Sequence, residues 1–206
     1  MKSLREKAYG YIVETVAISA ETTPFYAAYE TFVVNMSNDV SQDARKYGVG
    51  ILLLGLGTLF QKGRESSENF FRVAQYSSWA RPVHDIAYNA VFSAAVGPAL
   101  YLISGEKELE KIFLGTVGAA FIGVINGMPI GYTIDVFRDL GGIKTCERPS
   151  YPAFLKNASA SQKAVCALGL LLASGAFTRG IYAVHEQGFS LEQIMESQSS
   201  DEIMEE

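Results

Sequence analysis

The stretch IFLGTVGAAFIGVINGMPIGYTI, residues 112–134, is 23 residues long and contains no charged side chain. A helix needs about 20 apolar residues to cross a bilayer, so the stretch predicts a membrane-spanning helix. Gly123, Gly127 and Gly131 recur at every fourth position and would share one face of that helix. Glycines on one face allow a second helix to approach closely. The stretch therefore predicts a helix that packs inside a membrane bundle.

Four further apolar blocks are separated by the charged parts of the chain. Together with the first stretch they predict five helices, at residues 20–38, 45–62, 85–105, 111–135 and 162–182. The second and fifth blocks contain uncharged runs of only 15 residues, which are short for a full span and also suit buried helices. We predict an all-α fold, a polytopic membrane helix bundle of two helical hairpins plus a fifth C-terminal apolar helix. The bundle forms one membrane domain over residues 1–190, and the polar, acidic tail at 191–206 is predicted to be disordered.

The spacing of glycine and arginine suggests that the two hairpins form a parallel repeat. Gly57 precedes Arg64 by seven residues, and Gly131 precedes Arg138 by the same interval. Transporters often contain repeats, and their binding sites lie at the repeat interface. Lys and Arg are concentrated before the first block, between the second and third, and after the fourth. The positive-inside rule then predicts a cytoplasmic N-terminus.

The composition argues against several other classes of protein. A net charge of −5 and a pI near 5.2 argue against nucleic-acid binding. Cys146 and Cys166 are too few for a disulfide framework, and no zinc-binding set accompanies them. The chain has no nucleophile-elbow, zinc-protease or phosphate-loop motif, and Gly48-Val49-Gly50 does not continue into a dinucleotide fingerprint. We therefore expect no enzyme activity, no cofactor and no metal site, and we expect contact with membrane lipids.

Three acidic residues are candidates for coupling transport to an ion. Glu30 would lie near the middle of the first predicted span, where a charge costs roughly 2.5–3.5 kcal/mol and usually faces a bundle interior or a water path. The alternative is an interfacial helix in which Glu30 reaches the membrane surface or is protonated. Glu21 and Asp85 would open the first and third predicted helices, where a carboxylate caps free N–H groups. Their functional alternative is binding of a proton or cation at the inner mouth.

Asp135 and Arg138 follow the uncharged stretch, where the fourth predicted helix would leave the membrane. They can pair with each other on one helix face, and such a pair contributes little in water. Near a membrane boundary the guanidinium can instead bind a substrate carboxylate. Asn35, Asn89 and Asn126 are polar groups in apolar helices, where they either bond across helices or line a path.

The order and spacing of several motifs add a family resemblance. The motifs are Val33-Val34-Asn35-Met36 with Asp39, Trp79 with Asp85-Ile86, and Gly127-x-x-x-Gly131-Tyr132-x-x-Asp135-x-x-Arg138-x-Leu140. Over about residues 21–140 the chain resembles the bacterial L-alanine exporters, small inner-membrane proteins with four spanning helices. The resemblance implies export of L-alanine by means of the proton gradient. It also implies that Asp85, Asp135 and Arg138 are the first residues to test. Asn35 and Asp39 are the next candidates. Pro98, a turn later than in the family pattern, and an extra apolar segment after Arg148 are departures from it.

The leading hypothesis is a multi-pass inner-membrane transporter that exports a small neutral amino acid, L-alanine above all, with coupling to the proton gradient. Four or five helices make a small body, so a homodimer is one expected assembly. A passive channel, a membrane-embedded scaffold without transport and a soluble helical protein are the alternatives. The candidate substrate- or ion-coupling residues are Glu21, Glu30, Asn35, Asp39, Asp85, Asn89, Asn126, Tyr132, Asp135 and Arg138, with Gly123, Gly127 and Gly131 for helix packing.

Overall fold

The computed structural model describes residues 3–75 and 80–188, and every regular element within them is helical. The all-α prediction is therefore confirmed for this part of the chain, and the acidic tail at 191–206 lies outside it. Two π-helical turns, Tyr29–Val33 and Leu52–Leu56, and one 3-10 turn, Val73–Gln75, accompany the α-helices. The α-helices are α1 (Leu4–Ala28), α2 (Asn38–Ile51), α3 (Gly57–Phe70), α4 (Ala80–Ile103), α5 (Leu109–Ile125), α6 (Gly127–Leu140), α7 (Ala153–Lys156) and α8 (Ala160–Glu186).

Serine caps determine where two of the long helices begin. Ser3 accepts a hydrogen bond from the backbone N–H of Glu6 at 3.2 Å, and the Glu6 carboxylate accepts one from the Ser3 N–H at 2.8 Å. Ser159 and Gln162 form the same reciprocal pair at the start of α8. Such a capping box satisfies N–H groups that the first helical turn leaves without partners. α1 therefore begins well before the apolar block that hydropathy indicates.

α1 is the helix around which much of the fold is assembled, because it packs along both α6 and α8. Tyr9 of α1 donates a hydrogen bond to the Gly141 carbonyl just beyond α6, at 3.1 Å. Ser174 of α8 donates to the Ala20 carbonyl at 2.5 Å. α4 packs along α5, which follows it after residues 104–108. The main buried apolar cluster contains Val34, Met36, Ala44, Tyr101 and Ile112.

The first predicted helix, residues 20–38, has the wrong bounds. α1 ends at Ala28, a single π-helical turn follows, and Asn35 then adopts a left-handed backbone with a φ of 57°. Asn is one of the few residues besides glycine that tolerate this conformation, so the helix stops and the chain turns. Ser37 caps α2 directly afterwards. Glu30 therefore lies in the last turn of this helical segment instead of near the middle of a span.

The predicted continuous helix at 111–135 is broken in the structure. The chain bends by 66° between α5 and α6. Pro129 accounts for the break, because it has no N–H to donate and its ring crowds the preceding turn. Asn126 closes α5 by donating its backbone N–H to the Ile122 carbonyl at 2.8 Å. The glycines of the opening stretch therefore do not lie along one face of one helix.

Two further predicted helices also differ from the observed ones. The segment predicted at 45–62 is interrupted by the π-helical turn Leu52–Leu56, in which Gly55 has a φ of 109°. Only glycine adopts this conformation without strain, so the position explains the break between α2 and α3. The helix predicted at 85–105 is already formed at Ala80. Asp85 consequently lies inside α4 and does not open it.

Two of the described helical segments are long and apolar enough to cross a membrane, Ile86–Ile103 within α4 and Ala160–Glu186. A third is added if α5 and α6 are counted as one bent span. Large apolar side chains are exposed on these helices, among them Phe113, Phe121, Val165 and Phe177. Soluble monomers rarely expose large contiguous apolar patches. The structure is therefore compatible with a membrane protein.

Candidate functional site

A cavity of about 530 Å³ lies among α1, α2, α3, α4, α5 and α6, and we call it the central cavity. Its volume is typical of small-molecule sites, which occupy roughly 300–1,000 Å³. Apolar side chains make up most of the wall, with hydroxyl and amide groups between them. Among the described residues that line it, Arg45 is the one with a charged side chain. The polar lining includes Ser19, Thr22, Thr23, Tyr26, Asn89 and Ser93.

Arg45 and Glu30 form an ion pair at one end of the central cavity. Arg45 Nη2 donates to Glu30 Oε1, and the Glu30 side chain has no exposed surface. Glu30 also accepts a hydrogen bond from Ser41 Oγ at 2.6 Å and one from the Tyr101 hydroxyl at 2.8 Å. The Arg45 guanidinium carbon lies 4.6 Å from the centroid of the Tyr26 ring, which is within cation–π distance. The ring and the carboxylate together hold the guanidinium at the cavity wall.

Local helix geometry explains why these groups meet. Ser41, Ala44 and Arg45 are three or four residues apart on α2 and share one helix face. Ser41 and Ala44 are fully buried on that face, so Arg45 is carried into the bundle with them. Glu30 is placed opposite by the π-helical turn after α1. Single π-helical turns inside helices are frequent at functional sites.

A second ion pair lies where α6 packs against the first half of α1. Arg138 donates to Glu14 Oε1 from Nε at 2.9 Å and from Nη2 at 2.7 Å. Asp135 accepts a hydrogen bond from Arg148 Nε at 2.7 Å and lies 3.8 Å from Arg138 Nη1. Asp135 and Arg138 face a recess of about 310 Å³ whose remaining wall is residues 144–149. Arg138, predicted to pair with Asp135 or to bind a substrate carboxylate, therefore has an unpredicted partner on α1.

The Arg45–Glu30 pair and the Arg138–Glu14 pair lie at opposite ends of the central cavity. Arg45 lines one end, whereas Glu14 lies one helical turn before Ile18, a residue of the cavity wall. Glu14 and Glu30 are separated by roughly 24 Å along their helical segment, at 1.5 Å per residue. Glu30, predicted from the sequence to lie near the middle of a span, is therefore at one end of the cavity instead. The cavity thus lies between the buried Arg45–Glu30 pair and the half-buried Arg138–Glu14 pair.

A third set of contacts attaches residues 141–152 to the bundle. Asp139 is 2% exposed and accepts hydrogen bonds from the Tyr151 hydroxyl at 2.6 Å and from the Cys146 N–H at 3.3 Å. Lys163 Nζ of α8 lies 2.9 Å from the same carboxylate. Burial, and then the hydrogen bond to Asp139, raise the pKa of the Tyr151 phenol above its ordinary value. Tyr151 therefore stays a hydrogen-bond donor at neutral pH.

Several residues predicted from the sequence lie in or beside the cavity. Asn89 lines it and packs on Gly123, where an added Cβ would lie 2.5 Å from Asn89 Nδ2. Asn126 Nδ2 is 3.4 Å from Glu21 Oε2, so the amide at the break between α5 and α6 binds the middle of α1. Glu21 is therefore inside α1 and does not cap its start. Tyr132 faces a recess that Glu21 also lines.

Other predicted residues lie elsewhere. Asn35 is exposed in the turn after α1, and Asp39 is exposed in the first turn of α2, so neither lines a path. Gly131 has open space beside it, with only Arg148 Nη2 near an added Cβ, at 3.7 Å. The side chain of Asp85 and the surroundings of Gly127 lie outside what the structure describes.

Arg45, Glu14 and Tyr101 are the functional candidates that the sequence reasoning missed. Arg45 is the first residue of the helix predicted at 45–62, and hydropathy assigns it no role. One signal was present, because Arg45 shares its helix face with the small residues Ser41 and Ala44. No sequence signal links Glu14 to its partner on α6. Their pairing depends on two helices that are distant in the chain.

Metal binding and known relatives provide no further guide to the site. Among the residues that the structure describes, no three His, Cys, Asp or Glu side chains are grouped so that they could hold a metal ion. No family model, curated protein or solved structure matches the chain.

Proposed function

We propose that the chain is a polytopic inner-membrane protein in which five helical segments cross the bilayer around the central cavity. The segments are α1, α2 with α3, α4, α5 with α6, and α8. The apolar outer surfaces of α4, α5 and α8 support this arrangement. The breaks after α2 and after α5 also support it, because broken helices in membranes are tolerated where they line a cavity. On this reading the two broken segments occupy equivalent places in two hairpins.

We further propose that the protein is a secondary transporter that exports a small neutral amino acid, with L-alanine as the first candidate and the proton gradient as the energy source. The observation that carries the proposal is the central cavity with one lining guanidinium and an ion pair beyond each end. A small amino acid has a carboxylate for a guanidinium and a short side chain for an apolar wall. The motifs shared with the L-alanine exporters favour the same substrate.

The two ion pairs suggest how access could alternate between the sides of the membrane. Arg45 with Glu30 joins α2 to the end of α1, and Arg138 with Glu14 joins α6 to the start of α1. Opening one pair while the other is closed would expose the cavity to one side only. Protonation of the carboxylate in a pair weakens its attraction to the arginine. In this scheme Glu14 and Glu30 link proton binding to opening.

The test is efflux from proteoliposomes that contain the purified full-length protein. Vesicles are loaded with labelled L-alanine, and efflux is followed with and without an imposed pH gradient. Wild type should release alanine faster when the gradient is present, and Glu14→Gln should lose the gradient dependence. Asp43→Asn is the matched control, because its ion pair with Lys46 is exposed.

The outcomes separate the main alternatives. Alanine flux that is the same with and without the gradient would indicate a passive channel. An absence of alanine flux from folded, inserted protein would contradict the proposed substrate. Equal gradient dependence in wild type and Glu14→Gln would exclude Glu14 from the coupling mechanism.

A further inference from the structure

The hydrogen bonds that the Arg45 guanidinium makes differ from those of Arg138. Arg138 uses both Nε and Nη2 to bind one carboxylate. Arg45 uses Nη2 for Glu30, whereas its Nε is buried and has no hydrogen-bond partner among the described residues. A buried donor without a partner costs about 1–3 kcal/mol. Both donors on the Nε–Nη2 edge are therefore hydrogen-bonded in Arg138, whereas only Nη2 is hydrogen-bonded in Arg45.

The free donor is buried, but it belongs to a side chain in the cavity wall, so a small ligand reaches Nε if the guanidinium turns toward the cavity. The side chain is 15% exposed, and Arg45 forms part of the wall of the central cavity. Gly48 and Val49 are the next residues of α2 that line the same cavity, and both have smaller side chains than the leucines that continue this wall. A carboxylate that enters the cavity can accept a hydrogen bond from Nε, and guanidinium–carboxylate bonds are among the stronger hydrogen bonds in proteins.

Glu30 is held in a way that lets it share the guanidinium. Ser41 and Tyr101 donate to it independently of Arg45, so it keeps two hydrogen bonds if the guanidinium turns toward a ligand. The Glu30–Arg45 pair has no net charge. A bound zwitterion preserves that balance, whereas a simple anion adds an uncompensated negative charge to a poorly hydrated site. The arrangement therefore favours an amino acid over a plain carboxylic acid.

We propose that Arg45 is the carboxylate-binding residue of the central cavity and that its ligands are small zwitterionic amino acids. This inference rests on the proposed transport function and assigns substrate recognition to a residue that the sequence motifs do not include. Glu30 is the competing internal carboxylate, which orients the guanidinium while the cavity is empty. Removing Glu30 should therefore leave ligand binding intact or tighten it, and removing Arg45 should abolish it.

Equilibrium binding to the purified full-length protein tests the assignment directly. The dissociation constant of labelled L-alanine is measured for wild type, Arg45→Gln, Glu30→Gln and Lys46→Gln. Lys46 is the matched control, because it is the adjacent cation but is exposed and paired with Asp43. We expect Arg45→Gln to weaken binding by at least about tenfold, which corresponds to about 1.4 kcal/mol. We expect Lys46→Gln to bind like wild type and Glu30→Gln to bind as tightly or more tightly.

A ligand series measured by competition tests which group of the amino acid is recognised. Propionate has the carboxylate without the amine, and L-alaninamide has the amine without the carboxylate. L-Alanine should compete best, propionate more weakly and L-alaninamide least. In Arg45→Gln the difference between propionate and L-alaninamide should disappear. A residue that only supports the fold would lower stability without removing this difference.

The remaining outcomes distinguish this inference from the proposed function. If wild type exports alanine and folded Arg45→Gln binds it with the wild-type constant, the inference is wrong and the transport function stands. If wild type does not export alanine but binds glycine or L-serine in an Arg45-dependent way, the inference stands and the alanine assignment is wrong. If wild type binds none of these ligands, the inference is overturned.

A double variant covers the case in which Arg45→Gln does not fold. Glu30→Gln/Arg45→Met removes both charges of the buried pair, and such a replacement is often tolerated. This variant should fold and fail to bind L-alanine. Wild-type affinity in the double variant would overturn the inference.

Discussion

At the scale of single residues, Glu30 is a carboxylate that the fold buries completely. Its carboxylate is fully buried and receives hydrogen bonds from Arg45, Ser41 and Tyr101. Burying a charge is costly, and the cost is met here by one opposite charge and two hydroxyl donors. Removal of either charged partner leaves the other without compensation. Loss of one partner alone should therefore destabilise the fold.

We expect Glu30→Gln to lower the free energy of unfolding by about 3–5 kcal/mol, because it leaves the Arg45 guanidinium charged and poorly solvated. Asp43→Asn removes an exposed ion pair and should change stability by about 0–1 kcal/mol. Thermal unfolding of both detergent-solubilised variants, followed by size-exclusion chromatography with fluorescence detection, gives the comparison. Similar midpoints for the two variants would show that the buried pair is not a source of stability.

At the scale of elements, the break between α2 and α3 depends on one backbone conformation. Gly55 has a φ of 109°, and the hydroxyl of Tyr11 on α1 donates to the Leu52 carbonyl in the same turn. The Tyr11 hydroxyl thus joins α1 directly to the backbone of the irregular turn. The break is therefore a defined feature of the fold that α1 supports.

Gly55→Ala should destabilise the protein by about 1–3 kcal/mol, because a residue with a Cβ is strained at this φ. Gly50→Ala is the matched control on the preceding helix, since it has open space around an added Cβ and no positive φ. It should be neutral or slightly stabilising, because alanine is the better helix former. The midpoints of thermal unfolding decide between these outcomes, and equal behaviour of the two variants would contradict the strain argument.

The segment 141–152 gives a pH-dependent prediction. Burial and the bond to Asp139 raise the pKa of Tyr151 in the folded protein above its value of about 10 in the unfolded chain. The resulting stabilisation is fully present below pH 10 and is lost as the pH rises from there towards the folded-state pKa. Tyr151→Phe should therefore be less stable than wild type at neutral pH, and the difference should shrink above pH 10. A difference that stays constant across that range would exclude this linkage.

Sequence reasoning could predict the helical class but not the helix ends. Hydropathy detects the apolar middle of a helix, whereas the ends here are set by the Ser3 and Ser159 caps, by Asn35 in a left-handed conformation and by Pro129. The wrong bounds of the first predicted helix, 20–38, had a functional consequence, because they placed Glu30 at the centre of a span. The partners Arg45 and Glu14 could not be found for a different reason. They are recognised only when distant helices are brought into contact.

At the scale of the whole molecule, the described helices form a bundle with two ends. One end contains the start of α1 and the end of α6, which are joined by Glu14 with Arg138 and by Tyr9 with the Gly141 carbonyl. The other end contains the start of α2 and the end of α8, where Asn38 Oδ1 lies 2.7 Å from His185 Nδ1. These contacts define which loops should reach the same side of a membrane.

We expect residues 144–152 and 104–108 to lie on opposite sides of the membrane. Ser150→Cys and Lys107→Cys are each introduced into a variant with Cys146→Ala and Cys166→Ala. A membrane-impermeant maleimide should label Lys107→Cys on intact cells and Ser150→Cys only after permeabilisation. Labelling of both sites from the same side would contradict the proposed arrangement of spans, and release of the protein from membranes without detergent would contradict a membrane location.

The length and charge of α1 have a consequence for biogenesis. α1 carries Glu6, Glu14 and Glu21 and is not among the helices apolar enough to span a membrane by themselves, although it is 25 residues long. Glu14 binds Arg138 on α6, Glu21 binds Asn126 between α5 and α6, and the backbone of α1 packs on α8, the last of the described helices in chain order. We therefore expect stable insertion of α1 to require α6 and α8, which are synthesised after it. We expect a chain that stops after residue 158 to be degraded, or to leave α1 accessible to protease, because synthesis would end before the helix that completes its burial.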